Sequence, residues 1–254
     1  MADSLLIERA PLASGSVETW TLNDPASRNA LSEAMVDGLI AACEQAAADF
    51  DLRGVVLRGA GGHFCAGGSL GGFAKTIGQP LAAGASDPLV PLNRRFGALL
   101  QALCALPQWF IVAVEGAAMG GGFGLVCCAD QVLSHTSAQF ATPEVTLGIV
   151  PAQIAPFVLR RLGPAAARRC LLTGERWDAA TAQRAGLVDE VVAGDMEAAV
   201  QAAIARHAAA APQAVAATKR LLLAQPETPL PALLDAAAMA CLLYTSPSPR
   251  DKRQ

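Results

Sequence analysis

The chain has no dense block of one charge. Its 19 Lys and Arg and 22 Asp and Glu leave a net charge of −3 over 254 residues. The pairs Arg160-Arg161 and Arg168-Arg169 are too short to track a phosphate backbone, so no nucleic-acid surface is expected. No apolar run approaches the ~18 residues that cross a bilayer. Met1–Arg9 shows neither the basic start nor the apolar stretch of a secretory leader, so no membrane contact and a cytoplasmic location are expected. Only three histidines occur (His63, His135, His207), scattered and without H-E-x-x-H, which gives a metal site no support. The seven cysteines are irregularly spaced and lack C-x-x-C, the pattern of free thiols in a reducing compartment.

Apolar residues are plentiful, at 53% of the chain, enough for one large domain with an appendage. Short strands are expected over 4–9, 16–22, Val55–Leu57, Ile111–Val114, Val132-Leu133 and Gln139-Phe140. Asn29-Ala-Leu-Ser32 leads into a helical pattern expected to run through about Phe50, with Leu31, Met35, Leu39 and Cys43 on one stripe. Further helices are expected over Asn93–Leu106, Leu125–Ala129, Pro164–Thr173 and Ala179–Ala185. Residues 73–91 are rich in Gly, Pro and Ala and suit an irregular, mobile flap. Residues 196–240 are alanine-rich and helical, interrupted by Pro212, Pro226, Pro229 and Pro231. Strands alternating with helices define an α/β class. The expected division is a core with the active site over 1–195, a helical region over 196–241, and a foreign or disordered tail over 242–254.

The most informative stretch is Trp109 to Gly124. A β-branched apolar run, Ile111–Val114, is followed by Gly120-Gly121-Gly122 and then by a second apolar run. Strand, bare backbone and helix start bring main-chain N–H groups against a ligand, either a phosphate or a developing oxyanion. A dinucleotide loop needs G-x-G-x-x-G, and Gly120, Gly122 and Gly124 give only G-x-G-x-G, although Glu144 lies 22 positions beyond Gly122. A serine nucleophile is suggested by Gly67-Gly-Ser69-Leu-Gly71, but a glycine-rich loop separates Ser69 from its strand, and His207 is the only late histidine, expected on an exposed helix face. A third reading joins two glycine strips, His63–Leu70 and Ala118–Gly122, each following an apolar strand. One N–H from each makes an oxyanion hole, where each donor contributes about 3 kcal/mol to a transition state. Glu144, in the mostly apolar Val145–Pro151 neighbourhood, then supplies a carboxylate whose pKa burial would raise; a surface cap or ion pair is the competing role.

These segments, together and in order, resemble the enoyl-CoA hydratase/isomerase (crotonase) family. The matching stretches are Asn23-Asp-Pro with Arg28–Leu31, Arg58–Gly68, Ala113–Gly122, Cys128–Asp130, Phe140–Pro151, Leu172–Gly174 and Ala182–Val188. The resemblance implies a spiral of ββα units with a helical C-terminal trimerisation region, a homotrimer or a hexamer of two trimers, and an acyl-CoA thioester as substrate. It implies no metal and no cofactor beyond the substrate's own coenzyme A. By resemblance Gly68 and Gly121 are the oxyanion donors and Glu144 the catalytic carboxylate. Arg28 then falls where the family contacts the CoA phosphates, and Cys65 and Ala66 where it meets the adenine. Ser69 stands where the family usually has aspartate. Two-glutamate hydratases carry a further glutamate where this chain has Gly124, which raises double-bond isomerisation as an alternative to hydration. Phe96–Gln101, Met119–Leu125 and Pro151–Phe157 resemble the branch acting on isohexenylglutaconyl-CoA, a branched, carboxylated 2-enoyl-CoA of acyclic terpene breakdown. That resemblance would have Gln153 hold the water and Arg94 or Arg95 meet the distal carboxylate. A family member that binds CoA esters without turnover is a further alternative.

Overall fold

The computed structural model describes residues 3–68 and 89–223. Most of the expected flap, Ser69, and residues 224–254 with the expected tail lie outside them. The chain opens with a hairpin of β1 (Leu5–Leu12) and β2 (Gly15–Leu22), paired antiparallel. Helix α1 (Glu33–Ala48) starts where the Ser32 hydroxyl accepts the Met35 N–H at 3.2 Å. Leu31, Met35, Leu39 and Cys43 are all buried, as their spacing predicts. Strand β3 (Leu52–Gly59) follows, then α2 (Leu89–Ala105), which ends short of Pro107. Helix α2 begins four residues before Asn93 and so overturns the irregular expectation for 89–91. Pro91 sits in its first turn, where the missing N–H costs nothing.

Next come β4 (Trp109–Val114), β5 (Ala117–Met119), α3 (Gly121–Cys127), β6 (Gln131–His135) and β7 (Gln139–Ala141). Helix α3 starts at the glycines themselves, earlier than the apolar run suggests. A 3-10 turn over Pro143–Leu147 leads to α4 (Ala155–Thr173), which takes in residues ahead of the expected start at Pro164. Its two halves meet at Gly163, where φ of 70° breaks the helix before Pro164. Then follow β8 (Trp177–Asp178), α5 (Ala179–Arg184), β9 (Glu190–Val192), α6 (Met196–Ala208) and α7 (Pro212–Leu223). Pro212 opens α7 rather than merely interrupting a longer helix.

The main sheet runs β1-β2-β3-β4-β6-β9, parallel beyond the hairpin. A smaller sheet runs β5-β7-β8. Strands β3 and β4 are buried on both faces, which explains their unbroken apolar runs. Val55, Leu57, Phe110, Val112 and Val114 face the larger core with α1, α2 and α3. Val56, Trp109, Ile111 and Ala113 face the other, closed by Met196, Val200, Ala203 and Ile204 of α6. The class is α/β, as expected. No helix of the described residues is long and apolar enough to cross a membrane.

Candidate active site

The glycine strips follow two neighbouring parallel strands, the first directly after β3 and the second after β4 by way of β5 of the smaller sheet. After β3, Gly61 and Gly62 turn the chain with φ of 69° and 74°, conformations open to glycine at no steric cost. Residues 65–68 then run between two neighbours. The Cys65 N–H donates to Ala117 O at 2.8 Å, and the Met119 N–H donates back to Cys65 O at 2.9 Å. On the other side the Ala66 N–H donates to Arg28 O at 2.9 Å and the Leu31 N–H to Gly67 O at 2.8 Å. The second strip leaves β5 at Gly120, whose φ of 50° and ψ of −114° turn the chain into α3. The two strips touch through bare backbone: a Cβ on Gly122 would lie 2.7 Å from Cys65 O, and one on Gly67 3.0 Å from Met119 O. Among the described residues neither the Gly68 nor the Gly121 amide donates to a backbone carbonyl. Gly121 opens α3, so its N–H belongs to the unpaired positive end of that helix. The walls beside it are Leu31 and Phe96, whose Cδ1 and Cζ lie 2.9 and 3.2 Å from the point where a Gly121 Cβ would stand.

The small sheet brings the carboxylate to this backbone. β5 and β7 pair in parallel with Met119 opposite Ala141, and the Gly120 N–H donates to Ala141 O at 2.9 Å. Three residues beyond Ala141, on the 3-10 turn, Glu144 lays its carboxylate against Gly120: a Cβ there would meet Oε1 at 2.9 Å. The other oxygen, Oε2, is buried with no hydrogen-bond partner among the described residues. Loss of water around this carboxyl raises its pKa above the ordinary glutamate value, against a smaller lowering by its own backbone amide. A surface cap or ion pair, the competing role for this residue, does not describe such a group.

The remaining expected residues take separate places. Arg28 is exposed, with φ of 56°, and its carbonyl holds Ala66 in place. Cys65 is fully buried, and burial pushes its thiol up to about 12, so it presents backbone rather than a nucleophile. Gln153 packs its Oε1 over Gly97 of α2, with Arg94 Nη1 3.4 Å from the point where a Gly97 Cβ would stand. Arg95 points elsewhere, in an ion pair with Asp37 at 2.6 Å. His207 is not the exposed residue expected. It is half-buried, stacks on Trp109 with ring centroids 5.4 Å apart, and meets Gln131 Oε1 at 3.0 Å. Trp109 belongs to the core on the far side of the main sheet from Cys65, so His207 packs away from the strip that carries Cys65; Ser69 itself lies outside the described residues. No group of three or more potential metal ligands occurs among the described residues.

Asn29 carries a role not assigned from sequence. Fully buried, it donates through Nδ2 to Ala60 O at 2.9 Å and His63 O at 2.7 Å, and its Oδ1 accepts the Asp24 N–H at 2.9 Å. These bonds fix the loop that delivers Gly68. The sequence signal is an Asn in a Pro/Ser/Arg turn, since Asn tolerates the left-handed backbone it adopts here, with φ of 58°.

Known proteins match this chain in sequence and fold. The sequence profile of the family described as enoyl-CoA hydratase/isomerase matches residues 13–252. The chain is 38% identical over 198 residues to a probable enoyl-CoA hydratase, EchA14, of Mycobacterium tuberculosis, covering 77% of this chain and 73% of the relative. It is 37% identical over 217 residues to the 2,3-dehydroadipyl-CoA hydratase of Escherichia coli, covering 84% and 80%. Among solved structures, an enoyl-CoA hydratase/isomerase from Marinobacter aquaeolei superposes with a TM-score of 0.86 at 40% identity, over 94% of this chain and 89% of the other. Pseudomonas aeruginosa AtuE superposes with a TM-score of 0.85 at 45% identity, over 93% and 89%. The chain belongs to the enoyl-CoA hydratase/isomerase family and has its crotonase-type α/β fold.

Proposed function

We propose that this protein adds water to a 2-enoyl-CoA thioester whose acyl chain carries a second carboxylate. The observation that carries the hydration is the Glu144 carboxylate set against Gly120, one residue from the Gly121 amide. The thioester oxygen sits between the Gly68 and Gly121 N–H groups, which stabilise the enolate that forms when hydroxide adds to Cβ. Glu144 takes the proton from water as the new C–O bond forms. The same carboxyl then returns a proton to Cα, and one molecule of water is gained overall. A raised pKa suits a group that must both accept and donate near neutral pH.

The carboxylated substrate is supported by the name of the Escherichia coli relative, a 2,3-dehydroadipyl-CoA hydratase. It is supported too by Arg94 and Gln153, which both lie close to Gly97, next to Phe96 on the wall of Gly121. A branched glutaconyl-type acyl group of terpene or leucine breakdown is the specific form we favour. Arg28 and the Cys65-Ala66 backbone would hold the CoA, with the protein working as a cytoplasmic homotrimer or hexamer. A second reading is Δ3,Δ2-enoyl-CoA isomerisation, favoured by Gly124, because moving a double bond needs one carboxylate only. Offering 2-enoyl, 3-enoyl and glutaconyl-type CoA esters, with products followed by mass, separates the two. A gain of one water supports hydration, and an unchanged mass with a moved double bond supports isomerisation. Full turnover by Glu144→Gln would overturn both.

A further inference from the structure

The absence of a side chain at Gly124 is matched by a neighbour that fills its place. Gly124 lies one helical turn beyond Gly120, its N–H donating to Gly120 O at 3.0 Å. A Cβ on Gly120 would face Glu144 Oε1 at 2.9 Å. A Cβ on Gly124 would instead lie 2.5 Å from Ile154 Cγ2, 3.3 Å from Ile154 Cβ and 3.5 Å from Leu100 Cδ1. Glu144 and Ile154 therefore border α3 one turn apart. Ile154 is only 3% exposed and caps the start of α4, where its carbonyl accepts the Phe157 and Val158 N–H groups at 3.0 and 2.9 Å. Its obstructing atoms are Cβ and a branch carbon attached to it, close to this anchored backbone. Rotation about χ1 cannot clear them, because a β-branched residue has a second substituent to swing into the same space.

We infer that Ile154 restricts this site to a single proton-transfer group by filling the volume, one turn along α3 from Glu144, in which a second carboxylate would have to stand. The inference rests on the reading of Glu144 as the proton-transfer group. Ile154 touches no reacting atom, so it is a positioning residue. It decides how many carboxylates border the acyl chain, and so how hydration competes with double-bond migration.

The test compares the intact protein with Gly124→Glu, Ile154→Ala and the double variant, with Gly124→Ala as a smaller probe in both Ile154 backgrounds. Gly124→Glu alone is expected to lower the unfolding midpoint and lose most turnover. Adding Ile154→Ala restores the midpoint to that of Ile154→Ala by itself. The double variant gains a second ionisation in its pH–rate profile, since neighbouring carboxylates titrate as a pair, and a changed ratio of hydrated to migrated product. Gly124→Ala lowers the midpoint when Ile154 is intact and lowers it much less in the Ile154→Ala background, which removes Cγ2 and keeps Cβ, so the steric claim is tested even where the Glu variant fails to fold. Equal tolerance of Gly124→Ala in both backgrounds would overturn the inference, as would a folded double variant with an unchanged pH profile. Glu144→Gln separates the two levels: retained turnover removes the underlying reading, whereas lost turnover together with either contrary result removes the role of Ile154 alone.

Discussion

Replacing Gly122 by alanine should damage catalysis far more than folding. The added Cβ would stand 2.7 Å from Cys65 O, 2.8 Å from Cys65 Cβ and 3.0 Å from Cys65 Sγ. Ordinary contact begins near 3.4 Å, so the strips must part by 3.4 − 2.7 = 0.7 Å. Neither can yield cheaply, because Cys65 is clamped to Ala117 and Met119 by bonds of 2.8 and 2.9 Å. Overpacking of this kind costs about 1–3 kcal/mol. Alanine in place of glycine on a helix returns up to about 1 kcal/mol. The net loss is about 1 kcal/mol, or ~2–4 °C in a chain of this size. In the proposed reaction, catalysis depends on both strips aiming N–H groups at one oxygen. Displacing the Gly121 donor should cost about 3 kcal/mol of transition-state stabilisation, on the order of a hundredfold in kcat. The assay is the disappearance of the conjugated enoyl thioester at saturating substrate, beside a thermal melt. A variant with kcat within twofold of the parent would show that the contact does not aim the Gly121 amide, and the oxyanion assignment would fall with it.

Asn29→Ala removes three part-buried hydrogen bonds and leaves the Ala60 and His63 carbonyls without this donor, so denaturant unfolding should report a loss of about 1–3 kcal/mol; a change under about 0.5 kcal/mol would contradict its anchoring role. For Glu144 the folded pKa lies above the unfolded value because burial disfavours the charge. The folded state therefore binds the proton more tightly, and its stability relative to a neutral analogue falls as pH rises through the folded pKa. Glu144→Gln should be more stable than the parent at neutral pH, with the gap closing below the ordinary glutamate pKa; melts across pH would refute this by showing a constant gap. Lys219→Ala should cost about 1–3 kcal/mol, because its ammonium, 10% exposed, bridges Gln108 O at 2.7 Å and Asp130 at 2.6 Å, while the Asp130 carboxylate, 30% exposed, keeps the Phe110 N–H at 2.7 Å. A double-mutant cycle with Asp130→Asn measures that coupling, and independence of the two changes would rule it out.

The parts of this molecule written into its sequence are those where one local rule suffices. Val55–Leu57 and Ile111–Val114 read as buried strands from their β-branched apolar runs, and the Leu31, Met35, Leu39, Cys43 spacing sets the inner face of α1. The early start of α2 and the first half of α4 were hidden by Pro91 and by Gly163-Pro164, residues that punctuate a sequence yet are admissible in a first turn or at a break between two helices. Strands β5, β8 and β9 span only two or three residues, too few for any period; lateral pairing alone defines them. The same limit governs the site. Glycine strips and a glutamate are legible as chemistry, but that Glu144 comes to rest on Gly120 follows from β5 pairing with β7, a contact that is weak in propensity and strong in consequence. Ile154, thirty positions from Gly124, leaves no local trace at all. Its effect lies in volume rather than in functional groups, and a volume shared by two helices is a property of their packing. An absent side chain in a sequence thus has two physical meanings, an empty space or a filled one, and in this protein the branched carbons of Ile154 make it the second.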